Sequence, residues 1–104
     1  MLNYIYKFSI TIGEIMKAIL TVIGQDKSGI IASVSTMLAQ KNINIEDISQ
    51  TIMQGCFTMI MLINLENSTI SFKDLTMQAS KLGDEIGVKI IIQHEEIFNA
   101  MHRV

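Results

Sequence analysis

The residues best placed to do chemistry form a short run, Gly24-Gln25-Asp26-Lys27-Ser28-Gly29, between a mostly apolar segment and an amphipathic one. A turn that joins a strand directly to a helix leaves the first backbone N–H groups of that helix without intrahelical acceptors. Those groups attract a small anion such as a carboxylate. Gly29 has no Cβ, so its N–H can be presented to a ligand without steric cover. Ile30, the next residue, contributes a second backbone N–H, and Asp26 is expected to cap the helix and shape the turn. Asn44, at the start of a later strand and followed by Ile45, carries both an amide donor and a carbonyl acceptor. Together these groups match an amino acid, which needs donors for its carboxylate and acceptors for its ammonium. The competing reading is purely structural: Asp26 and Gly29 cap a helix and Asn44 finishes its exit turn.

Other chemistries find less support. The turn lacks the third glycine of a dinucleotide fingerprint and the Gly-Lys-Ser/Thr ending of a phosphate loop. His94 and His102 are far in sequence from Cys56, and the default reading is a buried thiol and, separately, two surface imidazoles. Adjacent acids at Asp84/Glu85 and Glu95/Glu96 split across two faces and read as solvated charge. No paired Cys or His spacing suggests a metal, so no catalytic set, metal or cofactor is expected. The methionines Met37, Met53, Met59 and Met61 fall in apolar elements and read as core filling.

The supporting elements follow from periodicity. Lys17 to Ile23 reads as a strand and Ser28 to Lys41 as a helix, with Ile30, Ile31, Val34, Met37 and Leu38 on its apolar stripe. Asn42 suits the left-handed residue that ends it. Ile43 to Met53 is β-branched, Gln54-Gly55 is a tight turn, and Cys56 to Leu65 completes a hairpin. Ser71 and Asp74 have capping-box spacing for a second helix carrying Phe72, Leu75, Ala79, Leu82 and Ile86, stopped by Gly87. Val88 to Gln93 reads as the last strand, and Glu95 to Arg103 as a short closing helix.

That order, βαββαβ, with right-handed crossovers, implies an α+β fold of ferredoxin-like type. It is a two-layer sandwich with a four-stranded antiparallel sheet and both helices on one face, plus the C-terminal helix. Along the third strand Phe57, Met59, Met61, Ile63 and Leu65 face one way, and Ile60 and Leu62 the other. A two-layer fold covers one sheet face, so the other apolar set calls for a homodimer, with the closing helix or the N-terminal residues as competing covers.

With 104 residues, 49% apolar composition, no proline and a net charge of −2, the chain reads as one domain with one core. Its scattered lysines and arginines form no basic face for nucleic acid and no polybasic patch for a membrane. The lone cysteine fits a reducing cytoplasm. Residues 1–15 are too short and too interrupted for a span or a signal peptide. They read either as an extra strand, with Tyr6, Phe8, Ile10 and Ile12 alternating, or as the product of an upstream start codon. In the second reading the domain is 16–104.

DKSG followed by IIASVSTMLAQKNINIEDI resembles the opening of an ACT domain, whose pattern is Asp-x-x-Gly, an apolar helix, then Asn-Ile leading into the second strand. Asp26, Gly29, Asn44 and Ile45 occupy those positions, and the resemblance covers about Met16 to Gln93. The stretch MKAILTVIGQDKSGIIASVS with NINIEDISQTIMQGCFTM is similar to small stand-alone ACT proteins and to the modules of glycine-cleavage repressor-like proteins. The resemblance implies a non-enzymatic regulatory module that binds an amino acid at a dimer interface and acts through a separate enzyme or regulator. It also leaves open a ligand-free subunit that simply docks on such a partner. Where many members have proline before the glycine, this chain has Ser28, which adds an N–H and a hydroxyl to the turn.

Overall fold

Alternation along the first strand sets the architecture. In β1 (Lys17–Gln25), Ala18, Leu20 and Val22 are fully buried, while Thr21 and Ile23 point to the opposite face. The computed structural model describes residues 16–25 and 28–95. The expected N-terminal strand, the cap at Asp26 and the closing helix beyond Glu95 lie outside these residues.

The remaining elements are α1 (Ile30–Gln40), β2 (Asn44–Met53), β3 (Cys56–Asn64), α2 (Phe72–Ile86) and β4 (Lys89–His94). They form a four-stranded sheet in the order β2-β3-β1-β4, with each neighbouring pair antiparallel. This is the ferredoxin-like arrangement expected from the element order. The final strand starts one residue later than anticipated because Val88 is spent in the turn, where its N–H donates to Gly83 O at 2.9 Å.

The core lies between the sheet and the helices. Leu20, Val22, Met59, Met61 and Ile63 meet Val34 and Leu38 of α1 and Leu75 of α2, all essentially inaccessible, and no polar residue is buried among the described ones. Met37, Met59 and Met61 sit in this core as anticipated, but Met53 is 68% exposed. It stands opposite Cys56 at the hairpin end of an edge strand, where no helix covers it. Ile31 is likewise 40% exposed, being turned about 100° from Ile30 around α1 and so off the buried stripe.

Caps end both helices. Asn42 has a φ of 58°, and the N–H groups of Asn42 and Ile43 donate to Ala39 O and Leu38 O at 3.0 Å each. This double bond closes α1 as a Schellman motif, with Leu38 and Ile43 both buried. Ser71 Oγ accepts from the Asp74 N–H at 3.1 Å to start α2, and Gly87, with a φ of 76°, ends it. At the hairpin, Gln54 and Gly55 both have positive φ, as a two-residue turn of right-handed twist requires.

One irregularity shapes β2. Ile45 stands opposite Ile63, yet Asp47 stands opposite Leu62, so Glu46 is an extra residue, a β-bulge. Without it Asp47 would face Met61 on the core side. The bulge moves the carboxylate to the open face and brings Ile48 and Ile52 to the helix side.

Gly83, in α2, is buried because the chain doubles back over it: a Cβ there would lie 2.6 Å from Val88 O. Replacing Gly83 with alanine is expected to cost on the order of 1–3 kcal/mol by forcing α2 away from β4. Urea unfolding measures this, and an unchanged midpoint would show that the packing has slack.

Candidate functional site

The end of β1 is a close-packed turn. A Cβ on Gly24 would come within 2.8 Å of Val88 Cγ1, so glycine lets the start of β4 pack against the strand end. Beyond it Gly29 adopts φ 90° and ψ −5° and is the N-cap of α1. The helix therefore starts later than expected, with Gly29 as its N-cap residue. A left-handed cap without a side chain has nothing to offer the first turn, and among the described residues no side chain bonds to it. The Gly29 carbonyl accepts from Ser33 N–H at 2.9 Å, which begins the helical ladder. The N–H groups of Ile30, Ile31 and Ala32 precede that ladder and have no intrahelical acceptor. No acidic residue stands in the first turn to offset the positive end of the helix dipole. The buried Ile30 side chain anchors this uncapped end to the core.

Beside the turn, Gly24, Gln25, Gln54, Gly55 and Cys56 line an open depression of about 650 Å³ between the end of β1 and the β2–β3 hairpin. Cys56 is exposed here rather than buried as expected. The register also separates it from His94. Cys56 pairs with Gln25 and His94 with Ala18, seven positions apart along β1, or roughly 23 Å. The register therefore keeps Cys56 and His94 from forming a nucleophile pair within one chain, and His102 lies outside the described residues. His94 is not a free surface imidazole either: its ring stacks on Phe72 with centroids 4.0 Å apart, and its Nδ1 is buried with no hydrogen-bond partner among the described residues. Among the described residues no three His, Cys, Asp or Glu side chains could hold a metal, and no helix is long and apolar enough to cross a membrane.

Asn44 and Ile45 lie at the other end of the sheet. Asn44 is exposed and stands opposite Asn64, which in turn stands opposite Lys17. Gly29 and Asn44 flank opposite ends of α1, an 11-residue helix about 16 Å long. One chain does not bring them to a single small ligand.

The Asn44 end carries a polar cluster that sequence reading missed. Asn64 Nδ2 donates to Glu46 Oε2 at 2.8 Å, Lys17 Nζ lies 3.3 Å from Glu46 Oε1, and the Glu66 N–H donates to Asn64 Oδ1 at 2.8 Å. The loop after β3 ties down the entry to β2: Asn42 Nδ2 donates to Asn67 O at 3.0 Å, and Thr69 N–H donates to Lys41 O at 2.9 Å. The hydrogen bond from Asn64 and then that from Lys17, with its positive charge, hold the Glu46 carboxyl below the usual carboxylate range against a small opposing effect of burial. Glu46 gave no signal in the linear sequence because its partners, Lys17 and Asn64, come from two other strands and its position depends on the bulge.

The sequence profile of the ACT domain matches residues 17–89. A UPF0237 protein of Clostridium acetobutylicum is 58% identical over 89 residues, covering 86% of this chain and all of that protein. Among solved structures, an ACT domain protein from Streptococcus pneumoniae superposes with a TM-score of 0.71 at 44% identity, covering 84% of this chain and 98% of that one. A candidate transcriptional repressor of the glycine cleavage system superposes with a TM-score of 0.63 at 26% identity, covering 74% of this chain and 44% of that one.

Two outcomes follow from this geometry. Gly29→Ala meets no atom within 4 Å but must hold φ near 90°, so it is expected to lose about 1–2 kcal/mol from backbone strain alone; thermal or urea unfolding reads that loss. Glu46 titrates lower in the folded chain than in the unfolded one, where its pKa is about 4.3. Its contribution is thus complete above the unfolded value and disappears as pH falls through the folded one. Glu46→Gln should therefore be less stable than the parent at neutral pH, with the difference closing in acid. A gap that persists in acid would assign the loss to something other than the charge.

Proposed function

Because the chain belongs to the ACT domain family of regulatory modules, we propose that it is a non-enzymatic regulator that binds a small amino acid or related carboxylate between two copies of itself. The observation that carries this reading is the uncapped start of α1. Gly29 and Ile30 offer backbone N–H groups to a carboxylate, and among the described residues no side chain caps this helix start. Asp26 follows β1 at the entry to this turn and shapes it.

The ammonium end needs acceptors, and Asn44 with its neighbour Ile45 supplies them from the second copy. β2 is a ten-residue edge strand without proline, with Ile48 and Ile52 respectively 43% and 56% exposed. A long, apolar, unpaired edge is a template for another strand. Antiparallel pairing of two β2 strands about a two-fold axis near Ile48 and Ser49 sets the partner subunit's Asn44 beside Met53. Met53 lies at the Gly29 end of the sheet. The two halves that one chain holds about 16 Å apart thereby meet across the dimer. Regulation then passes to a separate enzyme or transcription regulator in the cytoplasm, with ligand occupancy altering how firmly the two copies are joined.

Isothermal titration of the purified protein against the twenty amino acids tests this. At least one is expected to bind, and Asn44→Ala, exposed and far from the core, should weaken that ligand about tenfold or more while leaving the melting temperature unchanged. A folded dimer that is silent across the whole panel would favour a ligand-free subunit that docks on its partner through these same exposed apolar residues.

A further inference from the structure

A cavity of about 300 Å³ lies at the Lys17 end of the sheet, where the start of α2, the end of β4 and the loop after β3 converge. Met16, Leu65, Ile70, Phe72 and Leu75 make its walls apolar, and the imidazole of His94 completes them. Its polar groups are few and mostly spent. Ser68 Oγ donates to Ile70 O at 2.8 Å and accepts from the Ile70 N–H at 3.2 Å. Ser71 Oγ accepts from the Asp74 N–H at 3.1 Å and keeps its hydroxyl proton to give.

His94 is the exception. Its ring lies on Phe72 with the planes 19° apart, and its buried Nδ1 has no hydrogen-bond partner among the described residues. Buried polar atoms are nearly always bonded, so an unpaired one in a cavity wall calls for a partner from outside. We propose that this cavity binds a small uncharged molecule made of one apolar ring or branched chain and a hydroxyl group. The volume is at the small end of ligand pockets, which suits a single ring. The apolar walls and the face of the Phe72–His94 stack take the hydrocarbon part. A hydroxyl both donates and accepts, so it pairs with Nδ1 whichever ring nitrogen carries the proton, and it leaves an acceptor site for the Ser71 proton. Charge is selected against, because apolar walls make an ion costly to desolvate and Glu66, the one acid of the lining, repels an anion.

The lining includes neither Gly29 nor Asn44, so this site stands or falls separately from the amino-acid reading. Its loop wall nevertheless reaches the strand that carries Asn44. Thr69 N–H donates to Lys41 O at 2.9 Å and Asn42 Nδ2 to Asn67 O at 3.0 Å. A molecule seated against Leu65 and Ile70 braces this loop, and through it the entry to β2.

Titration of the full chain with phenol, toluene and benzoate, followed by NMR of the His94 ring and the Met16 and Leu75 methyl groups, tests the inference. Phenol is expected to shift these signals and to bind about fivefold more tightly than toluene through the added hydrogen bond, while benzoate leaves them unmoved. His94→Phe keeps a ring on Phe72 but removes the nitrogen, so phenol and toluene should then bind alike. Circular dichroism checks that this variant folds; if it does not, the three probes on the parent decide. Phenol that leaves the cavity signals unmoved overturns the site. Toluene as tight as phenol on the parent, or a phenol preference that survives His94→Phe, overturns the pairing at Nδ1. Benzoate as tight as phenol overturns the selection against charge. Saturating phenol should also slow hydrogen exchange at the Thr69 amide several-fold, and unchanged exchange there removes the bracing.

Discussion

The ladder between β1 and β3 runs in register over nine residue pairs, from Lys17 opposite Asn64 to Gln25 opposite Cys56. These two strands are the middle of the sheet, and every other element is placed by them. The helix-facing row of the pair, Ala18, Leu20 and Val22 with Phe57, Met59, Met61 and Ile63, is the floor of the core. Because side chains alternate strictly along a strand, the same register puts Ile19, Ile23, Ile60 and Leu62 on the opposite face. The packed core and the open apolar face are therefore two consequences of one pairing.

The register also divides the chemistry. α1 leaves β1 at the Gln25 end and returns the chain to the Lys17 end, so whatever precedes the helix and whatever follows it are kept a helix length apart. Gly29 and the first-turn N–H groups of α1 are at one end, and Asn44 with the Lys17–Glu46–Asn64 cluster is at the other. A ligand that needs both must sit where two chains meet. Under the proposed dimer, sensitivity to association follows, since each chain supplies one half of the site. That coupling suits a regulatory module better than an enzyme, whose reacting groups must be held together at all times.

Edge and face impose different demands. β2 has hydrogen-bonding groups on its free side and exposed isoleucines, and the bulge at Glu46 bends its start without shortening it. The open face has no backbone groups to satisfy and is governed by apolar area and by the charges at its margin. A small domain with one core has little stability to spare, and covering either surface adds to it.

Much of this was legible in the linear sequence because it depends on local periodicity and local turns. The strand alternation, the stripe of Val34 and Leu38, the left-handed Asn42, the Gln54-Gly55 turn, and the stops at Ser71 and Gly87 are short-range matters of backbone geometry and capping. Element order and the handedness of crossovers then led to a four-stranded antiparallel sheet with both helices on one face. What required the tertiary structure was anything set by register or by coverage. The bulge that turns Asp47 away from the core, the exposure of Met53, Ile31 and Cys56, and the stacking of His94 on Phe72 all depend on which residue of another strand or helix stands opposite. The helix start shows the same divide: the sequence pattern begins the helix at Ser28, yet the left-handed Gly29 is its N-cap residue and no side chain among the described residues bonds to the first turn. The residue types of the candidate site were thus determined by the sequence. Their separation onto opposite ends of the fold was decided by the β1–β3 register and the length of α1, which no local pattern encodes.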